Sequence, residues 1–445
     1  MWRRESKRAS CNAKPMSSEV DFDAIVVGAG IAGTVCAYLL ARDGHEVVLI
    51  ERGSSIGSKN LSGGVLYSSV MEQVFPGFAG AAPVERAVTR NVLGFLNPTS
   101  QVGIDCWDAG LRGNAYTVLR SKLDPWLADQ CEQAGVMVMP GVHVDELLRD
   151  GDQVVGVRAG EDELRAHVVV AADGVNSLLA KGAGIRADEP LKHLAVGVKS
   201  VIGLPRSVIE DRFHVTGQDG VAYAFVGDCT QSIAGGGFLY TNLDSVSVGV
   251  VLRLDDLVSS GLASSDVHDH FLAHPGIAPL LAGGDLLEYG CHLTIEDGPA
   301  MAKAPNTAPG LVIIGDAAGL TLNTGLAIRG MDLAAGSAIA AAKAVSAALK
   351  AGDYSQRALD AYGRELAAGF VGADMKTYAG MPKILNSPRM YGPYGDLLAD
   401  IMHRAYTQDA TPKRHLVSSA LAALRNSPVR LTQLLRDGFT AVRAL

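Results

Sequence analysis

The stretch GDAAGLTLNTGLAIRGMDLAAG, residues 315–336, carries one acid, Asp316, at the end of an apolar run, followed by small residues leading into a helix. No nucleophile or base stands beside it. A carboxylate at the end of a buried strand, followed by residues small enough to lie against a flat and extended molecule, suits hydrogen bonding to ribityl hydroxyls, a group that nicotinamide dinucleotides lack. An N-cap is the alternative role for Asp316. The backbone N–H groups from about Gly325 to Ile328 are expected to open a helix beneath a flavin ring, where the helix dipole stabilises negative charge. The chemistry then belongs to a bound cofactor, so no catalytic acid or base is assigned and no metal site is expected.

A second constellation lies near the N-terminus, in DFDAIVVGAGIAGTVCAYLLARDGHEVVLIERG, residues 21–53. Gly28, Gly30 and Gly33 form G-x-G-x-x-G directly after a short apolar strand at 24–27, and Ala29, Ile31 and Ala32 complete the turn. A helix over 31–42 ends at Gly44, a second strand covers 46–50, and Glu51 and Arg52 close it. Gly28 permits the tight turn, Gly30 lets backbone approach a pyrophosphate, and Gly33 lets helix and strand pack closely. The helix N-terminus attracts the phosphates, and Glu51 can take the adenosine ribose hydroxyls. This unit alone does not separate FAD from NAD. Two further features point toward the same crevice. Arg120 opens VLRSKLDPWLADQ and is either a pyrophosphate partner or a solvated helix-start arginine. Asp173–Gly174 ends a buried strand and either faces the ligand or makes a simple turn.

The elements that must position these residues follow from the apolar patterning. QVVGVRAGEDELRAHVVVAADG reads as a hairpin turning at 161–163 and running into a fully buried strand at 168–172. From about 191 to 254 the pattern is β-branched and alternating, which predicts a separate antiparallel sheet; LVIIG at 311–315 is again a buried parallel strand, and the chain beyond Met331 is mostly helical. The fold class is therefore α/β, a Rossmann-type FAD-binding domain with an inserted antiparallel-sheet domain and a helical C-terminal region. The expected division is a disordered extension at 1–20, the FAD-binding domain at 21–190 and 300–350, the sheet domain for substrate or quinone at 191–299, and the helical region at 351–445.

At 445 residues and 48% hydrophobic content the chain can bury a large core without staples. Its formal charge of −8 argues against a general nucleic-acid binder. Cys11, Cys36, Cys106, Cys131, Cys229 and Cys291 are widely spaced, against a disulfide framework, a zinc site or an iron–sulfur cluster. No uninterrupted apolar run reaches the length of a membrane span, since Lys343 and Lys350 break the alanine-rich helix at 336–352. The basic, polar start at 1–20 lacks the apolar core of a secretory signal; a transit peptide, a disordered extension and a start codon called too early, with Met16 as the natural start, are all open. The segment 411–445 sets Lys413, Arg414, Arg425, Arg430, Arg436 and Arg443 against the single acid Asp437, with Leu421, Leu424, Leu431, Leu434 and Leu435 at roughly helical spacing. Such a segment offers a basic amphipathic face to anionic lipid or an acidic partner, or else packs on its own domain.

The motifs GAGIAG, KNLSGGVLY at 59–67, GGGFLYTNLDSVSVGVV at 235–251, GDAAGLTLNTGLAIRGMDLA and MPKILNSPRMYG at 381–392 resemble the FixC-type electron transfer flavoprotein:quinone oxidoreductases, within the superfamily of p-hydroxybenzoate hydroxylase and geranylgeranyl reductase. The resemblance runs over nearly the whole chain from Phe22. It implies an FAD-dependent electron transfer subunit of an electron-bifurcating system of the kind linked to nitrogen fixation. Such a subunit receives electrons through a FixA/FixB-like electron transfer flavoprotein, passes them toward quinone, and works with a small ferredoxin-like FixX subunit. Mitochondrial members carry a cysteine-rich cluster domain at their own C-terminus, and no cysteine follows Cys291 here, which favours the FixC type. Residue by residue, the resemblance places Gly28, Gly30, Gly33 and Glu51 at the adenosine and pyrophosphate, and Gly63 with Gly64 at the flavin. It places Asp316, Asn323, Gly325 and Ile328 on the ribityl and ring side, and Gly315 beside Asp316 is counted with the cofactor site. The expected location is cytoplasmic, with peripheral contact at the inner face of the cell membrane.

Three other readings share this fold. Prenyl reductases of the superfamily carry a Tyr-x-Trp-x-Phe-Pro stretch; the corresponding AYAFVGD has Tyr223 and Phe225 but neither Trp nor Pro. An NADPH-dependent aromatic hydroxylase would use the Asp173–Gly174 turn. An assembly subunit with an idle flavin is the non-enzymatic reading.

Overall fold

The chain leaves one sheet twice to build another. The computed structural model describes residues 20–60, 63–413 and 415–444, so nearly all of the expected extension at 1–20 lies outside the described residues. Strand β1 (Phe22–Val27), helix α1 (Ile31–Arg42) and strand β2 (Val47–Glu51) form the expected unit, with Gly44 turning the chain at φ +91°. The first excursion then makes β3 (Gly64–Tyr67), β4 (Val84–Asn97), β5 (Ser100–Trp107) and β6 (Ala115–Val118). Helix α2 (Arg120–Gln133) returns it to β7 (Met137–Pro140), β8 (Glu146–Asp150), β9 (Gln153–Ala159) and β10 (Asp162–Ala171). The second excursion holds β11 (Leu194–Gly203), α3 (Arg206–Phe213), β12 (Asp219–Gly227), β13 (Gly235–Thr241), β14 (Ser245–Arg253), α4 (Ser264–Ala273) and β15 (Asp285–Ile295). The chain comes back through β16 (Thr307–Ala308) and β17 (Leu311–Ile313), makes the small hairpin β18 (Leu322–Asn323) and β19 (Ile328–Arg329), and enters α5 (Met331–Ala351).

In the first sheet β17, β10, β1 and β2 run parallel, with Val27 level with both Ile50 and Ala171, and Ala171 level with Ile313. Parallel strands in register end on one edge. The residues at or just beyond their ends, Gly28, Glu51, Asp173 and Asp316, therefore emerge side by side at the carboxyl edge where open α/β sheets bind ligands. Strand β10 serves twice: Asp162–Arg165 pair antiparallel with β9, and Ala166–Ala171 continue as the parallel strand beside β1. Helices α1 and α5 cover one face, with Val35, Leu40, Ala338 and Val345 fully buried.

The second sheet corrects the expected division. It contains nine strands in the order β15-β11-β14-β13-β12-β4-β6-β3, with β5 on β4, so residues 64–118 belong to it rather than to the FAD-binding part at 21–190. It is also not wholly antiparallel, because β12 pairs parallel with β4. Alternation in a sequence reports which face of a strand is buried, and it is silent on which neighbour the strand takes. The join is held by Arg86 of β4. Its fully buried guanidinium donates to the carbonyls of Asn242 (2.7 Å), Gly217 (2.9 Å) and Asp219 (3.0 Å), which satisfies a charge that would otherwise be costly to bury. One face of this sheet packs Phe225, Leu239 and Val248 against Phe213 of α3 and Phe271 of α4. The other face turns toward the first sheet.

Helix α5 begins at Met331, five residues earlier than the alanine-rich run suggests, and by length and composition it could cross a membrane. Most of it is buried between α1 and helix α6 (Ala361–Ala368), so it reads as a core helix. Helix α7 (Phe370–Thr377) follows, then α8 (Pro393–Tyr406), which lies on β4 and β5, then α9 (Leu416–Asn426) and α10 (Leu431–Ala444). Arg389 ties α10 down through two hydrogen bonds to Asp437, at 2.7 and 2.8 Å. Leu424 and Leu434 pack against Leu397, Ala423 and Val429, while Leu431, Leu435, Phe439 and Val442 stay exposed. Arg414 is outside the described residues.

Candidate functional site

A cleft of about 380 Å³, within the range of small-molecule sites, runs between the carboxyl edge of the first sheet and the open face of the second. Gly28, Gly30, Ile31, Ala32, Glu51, Arg52, Arg120, Asp173 and Asp316 line it from the first sheet and its helices, Gly63 from the loop entering β3, Gly64 from the start of β3, and Ile328 from the hairpin.

Two of the three turn glycines are demanded by the fold. Gly28 sits at φ +103°, where a Cβ would lie 2.3 Å from the Ala172 carbonyl oxygen, and a Cβ on Gly33 would lie 1.8 Å from the Gly28 oxygen. Gly30 is different. A Cβ there would meet only the tip of Arg120, at 3.7 Å, an ordinary contact. The space it leaves open belongs to whatever enters the cleft, beside the N-terminus of α1, as a dinucleotide phosphate requires. The Glu51 carboxylate is held by backbone N–H groups from Ala29 (3.0 Å) and Gly53 (2.7 Å). Ala29 thus orients Glu51 and is not on the wall; Gly33 is likewise behind it.

Arg120 is no solvated helix-start residue. Its Nε and Nη2 donate to Asp124 at 2.6 and 2.9 Å, and Asp124 is fully buried and also accepts from Asn60. Burial works against the Arg120 charge, but the Asp124 carboxylate outweighs it and holds the guanidinium charged at the phosphate end. Asp173 accepts the Leu179 N–H through Oδ2 (3.0 Å), while its buried Oδ1 has no partner among the described residues. Burial pushes its carboxyl above the ordinary range. An orphaned acceptor on a cleft wall fits a ligand rich in donors.

Asp316 follows the end of β17 and accepts from Thr321 Oγ1 at 3.2 Å. Burial raises its carboxyl, opposed by the Thr321 hydroxyl and by Arg120. Gly315, at φ +61° with its N–H on Ser337 Oγ (3.0 Å), lies behind the wall, where a Cβ would press on Ala32 at 2.8 Å. The stretch from Gly325 to Ile328 does not open a helix. It forms the hairpin turn between β18 and β19, closed by Thr324 N donating to Ala327 O, with Gly325 at φ +78°. Asn323 accepts the Gly325 N–H (2.9 Å), and a Cβ on Gly325 would meet Met381, so neither residue is on the wall. The helix start that does face the cleft is Gly330–Met331, the beginning of α5.

The opposite wall, from Gly197, Lys199, Phe238, Tyr240, His292 and Thr294, was not singled out from sequence. Register puts them on one face: Gly197 pairs with His292, and Lys199 and Phe238 both pair with Gly249. The period-2 spacing of Gly236, Phe238 and Tyr240 in GGGFLYT was the available signal. Lys199 donates from Nζ to the Gly63 carbonyl at 3.0 Å; burial, reinforced by Arg120 and opposed by Glu288, lowers its ammonium to about 8. Among the described residues no group of three or more His, Cys, Asp and Glu side chains could hold a metal ion.

Comparison with known proteins identifies the family and the cofactor class. Residues 21–216 match the FAD binding domain family, and residues 381–445 match the ETF-QO/FixC family C-terminal domain. The chain is 45% identical to the probable electron transfer flavoprotein-quinone oxidoreductase YdiS of Escherichia coli, over 96% of this chain and all of that protein. It is 42% identical to the protein FixC of Salmonella typhi, again over 96% of this chain and all of that one. Among solved structures, a geranylgeranyl bacteriochlorophyll reductase-like protein from Thermoplasma acidophilum superposes with a TM-score of 0.70 at 20% identity, over 94% of this chain and 98% of that one. CtdE, solved in complex with FAD, superposes at 0.58 with 17% identity, over 81% and 93%. These likenesses are of fold.

Proposed function

This chain belongs to the electron transfer flavoprotein-quinone oxidoreductase/FixC family of FAD-dependent oxidoreductases, and from that premise we propose that it takes electrons from a FixA/FixB-like electron transfer flavoprotein and passes them toward quinone. The observation that carries the reading is the 45% identity along the whole length of a protein so named, over 96% of this chain. FAD, when bound, supplies the redox chemistry. The chain's own residues hold and insulate it. Glu51 takes the ribose, Gly30 and the start of α1 take the pyrophosphate beside Arg120, and Asp316 with Thr321 takes the ribityl hydroxyls. The second sheet closes over the ring end with Phe238 and Tyr240, whose rings stack at 5.1 Å.

The proposal extends to partners. They include a ferredoxin-like FixX subunit, and the exposed face of α10, with Leu435, Phe439 and Val442 beside Arg436 and Arg443, rests on anionic lipid at the cytoplasmic side of the membrane. The test is anaerobic rapid mixing of the holoprotein. NADH or NADPH alone bleaches the flavin slowly, reduced electron transfer flavoprotein bleaches it fast, and quinone restores the oxidised spectrum. Fast direct bleaching by NADPH, or no recovery with quinone, contradicts the assignment.

A further inference from the structure

The two walls of the cleft differ in charge at the end far from the nucleotide cradle. Glu51 and the glycine turn fix one end of an extended dinucleotide, and the cleft continues past Asp316 to Met331, so the flavin ring lies at that far end. There the second sheet faces it with Gly197, Phe238, Tyr240, His292, Thr294 and one lysine. We infer that Lys199 sets the reduction potential of the bound flavin by holding a cation against the ring end of the cleft.

The position of this cation is built from two elements. Its stem rises from β11, and its Nζ is anchored on the Gly63 carbonyl at 3.0 Å, 5.4 Å from the centre of the Phe238 ring. The anchor is itself fixed. Gly63 sits at φ +88°, and a Cβ there would fall 2.3 Å from Ser247 Oγ, so the loop can hold its carbonyl here only as glycine. One hydrogen bond among the described residues engages one of three ammonium donors. The titratable and charged groups around it are Lys59 of the loop after β2, Arg120 of α2, Tyr240 of β13, Glu288 and His292 of β15, and Asp316 beyond β17. The cationic Arg120 disfavours the Lys199 charge and Glu288 favours it.

A fixed cation stabilises the ring more after reduction, when it is negative, than before. Reduction to the anionic state takes two electrons and one proton at the ring. Where Lys199 is neutral beforehand, the new negative charge draws a second proton onto Nζ. Burial lowers the Lys199 ammonium to about 8 in the chain itself; below its titration in the oxidised holoprotein one proton is taken up, and above it two. This rests on FAD in the cleft and is independent of which proteins donate or accept the electrons.

The experiment is a spectroelectrochemical titration of the holoprotein from about pH 6 to about pH 10, with Lys199→Met, Lys199→Gln and Lys199→Arg. In the unaltered protein the reduction constant falls tenfold per pH unit below the break and a hundredfold above it, or about 30 and about 59 mV for a two-electron couple. K199M and K199Q lower the constant at neutral pH by at least tenfold, about 30 mV, and remove the break. K199R keeps the neutral-pH potential and also lacks the break. A charge-free variant that retains flavin with the original potential and break overturns the inference. So does loss of oxidised FAD from both K199M and K199Q while K199R retains it, since the charge would then serve binding in either redox state.

Discussion

The two ends of the cleft are built in opposite ways. The nucleotide end comes from one stretch of about thirty residues, where strand, turn, helix and acid follow one another and even the orientation of Glu51 is set locally by the Ala29 and Gly53 N–H groups. The ring end has no such stretch. It is assembled from the loop before β3, from β11, β13 and β15, and from the hairpin and helix start near 330, brought together by two excursions that share one sheet. A local motif can bind a dinucleotide in many proteins. What the cofactor then does is decided by distant segments, each of which carries little signal alone.

Changes at the nucleotide end are therefore expected to cost the fold and the cofactor together. Gly33→Val has the largest effect: its side chain collides with the Gly28 carbonyl, and a loss of about 3 kcal/mol or more with colourless protein is expected. Urea unfolding and flavin content check it. Arg120→Leu comes next, because it strands the fully buried Asp124 carboxylate, at about 3 kcal/mol. Replacing Asp124 by Leu as well should recover most of the stability without recovering FAD affinity, which separates the structural ion pair from the ligand contact.

At the ring end the fold should survive while the cofactor is altered. Asp316→Ala removes charge-assisted hydrogen bonds worth about 1.5 to 3 kcal/mol, so FAD affinity falls at least about tenfold in a fluorescence titration of the apoprotein. An unchanged affinity would remove Asp316 from the ribityl site. Glu296 is a control at neither end. It lies where the second sheet meets the C-terminal helices, and burial, opposed by Arg253, raises its carboxyl to about 7. A raised carboxyl binds protons more tightly in the folded state, so its contribution is full in acid and is lost as pH rises through about 7. Glu296→Gln should flatten that decline, as read by urea unfolding between about pH 5 and about pH 8, and leave FAD affinity alone. Smallest in stability is Phe439→Ser on exposed α10, within about 0.5 kcal/mol. Its expected effect is weaker sedimentation with anionic vesicles.

The same contrast governs what could be read in the sequence. The helix over 31–42 and the acid at 51 are local, and the structure places both as expected. The position of Asp316 on the cleft wall was legible because an acid directly after a buried apolar run is a local feature. The helix start near 325 was misplaced, because a run of small residues does not announce the two short strands that Gly325 and Thr324 turn instead. The membership of β3 to β6 in the second sheet was hidden, since pairing between segments more than a hundred residues apart leaves no mark in either one. Lys199 was missed for the same reason: a lysine in an alternating strand reads as a solvated face until the opposite wall is known.

The central claim is that the nucleotide end of the cleft binds the cofactor without tuning it, while Lys199 at the ring end tunes it. Its most direct test is the midpoint potential of bound FAD in Glu51→Ala beside that in Lys199→Met, each with the dissociation constant of oxidised FAD. Glu51→Ala should weaken binding at least about tenfold in both redox states and leave the potential in place, while Lys199→Met should move the potential and change oxidised binding little. A potential that moves as far in Glu51→Ala as in Lys199→Met would contradict the division.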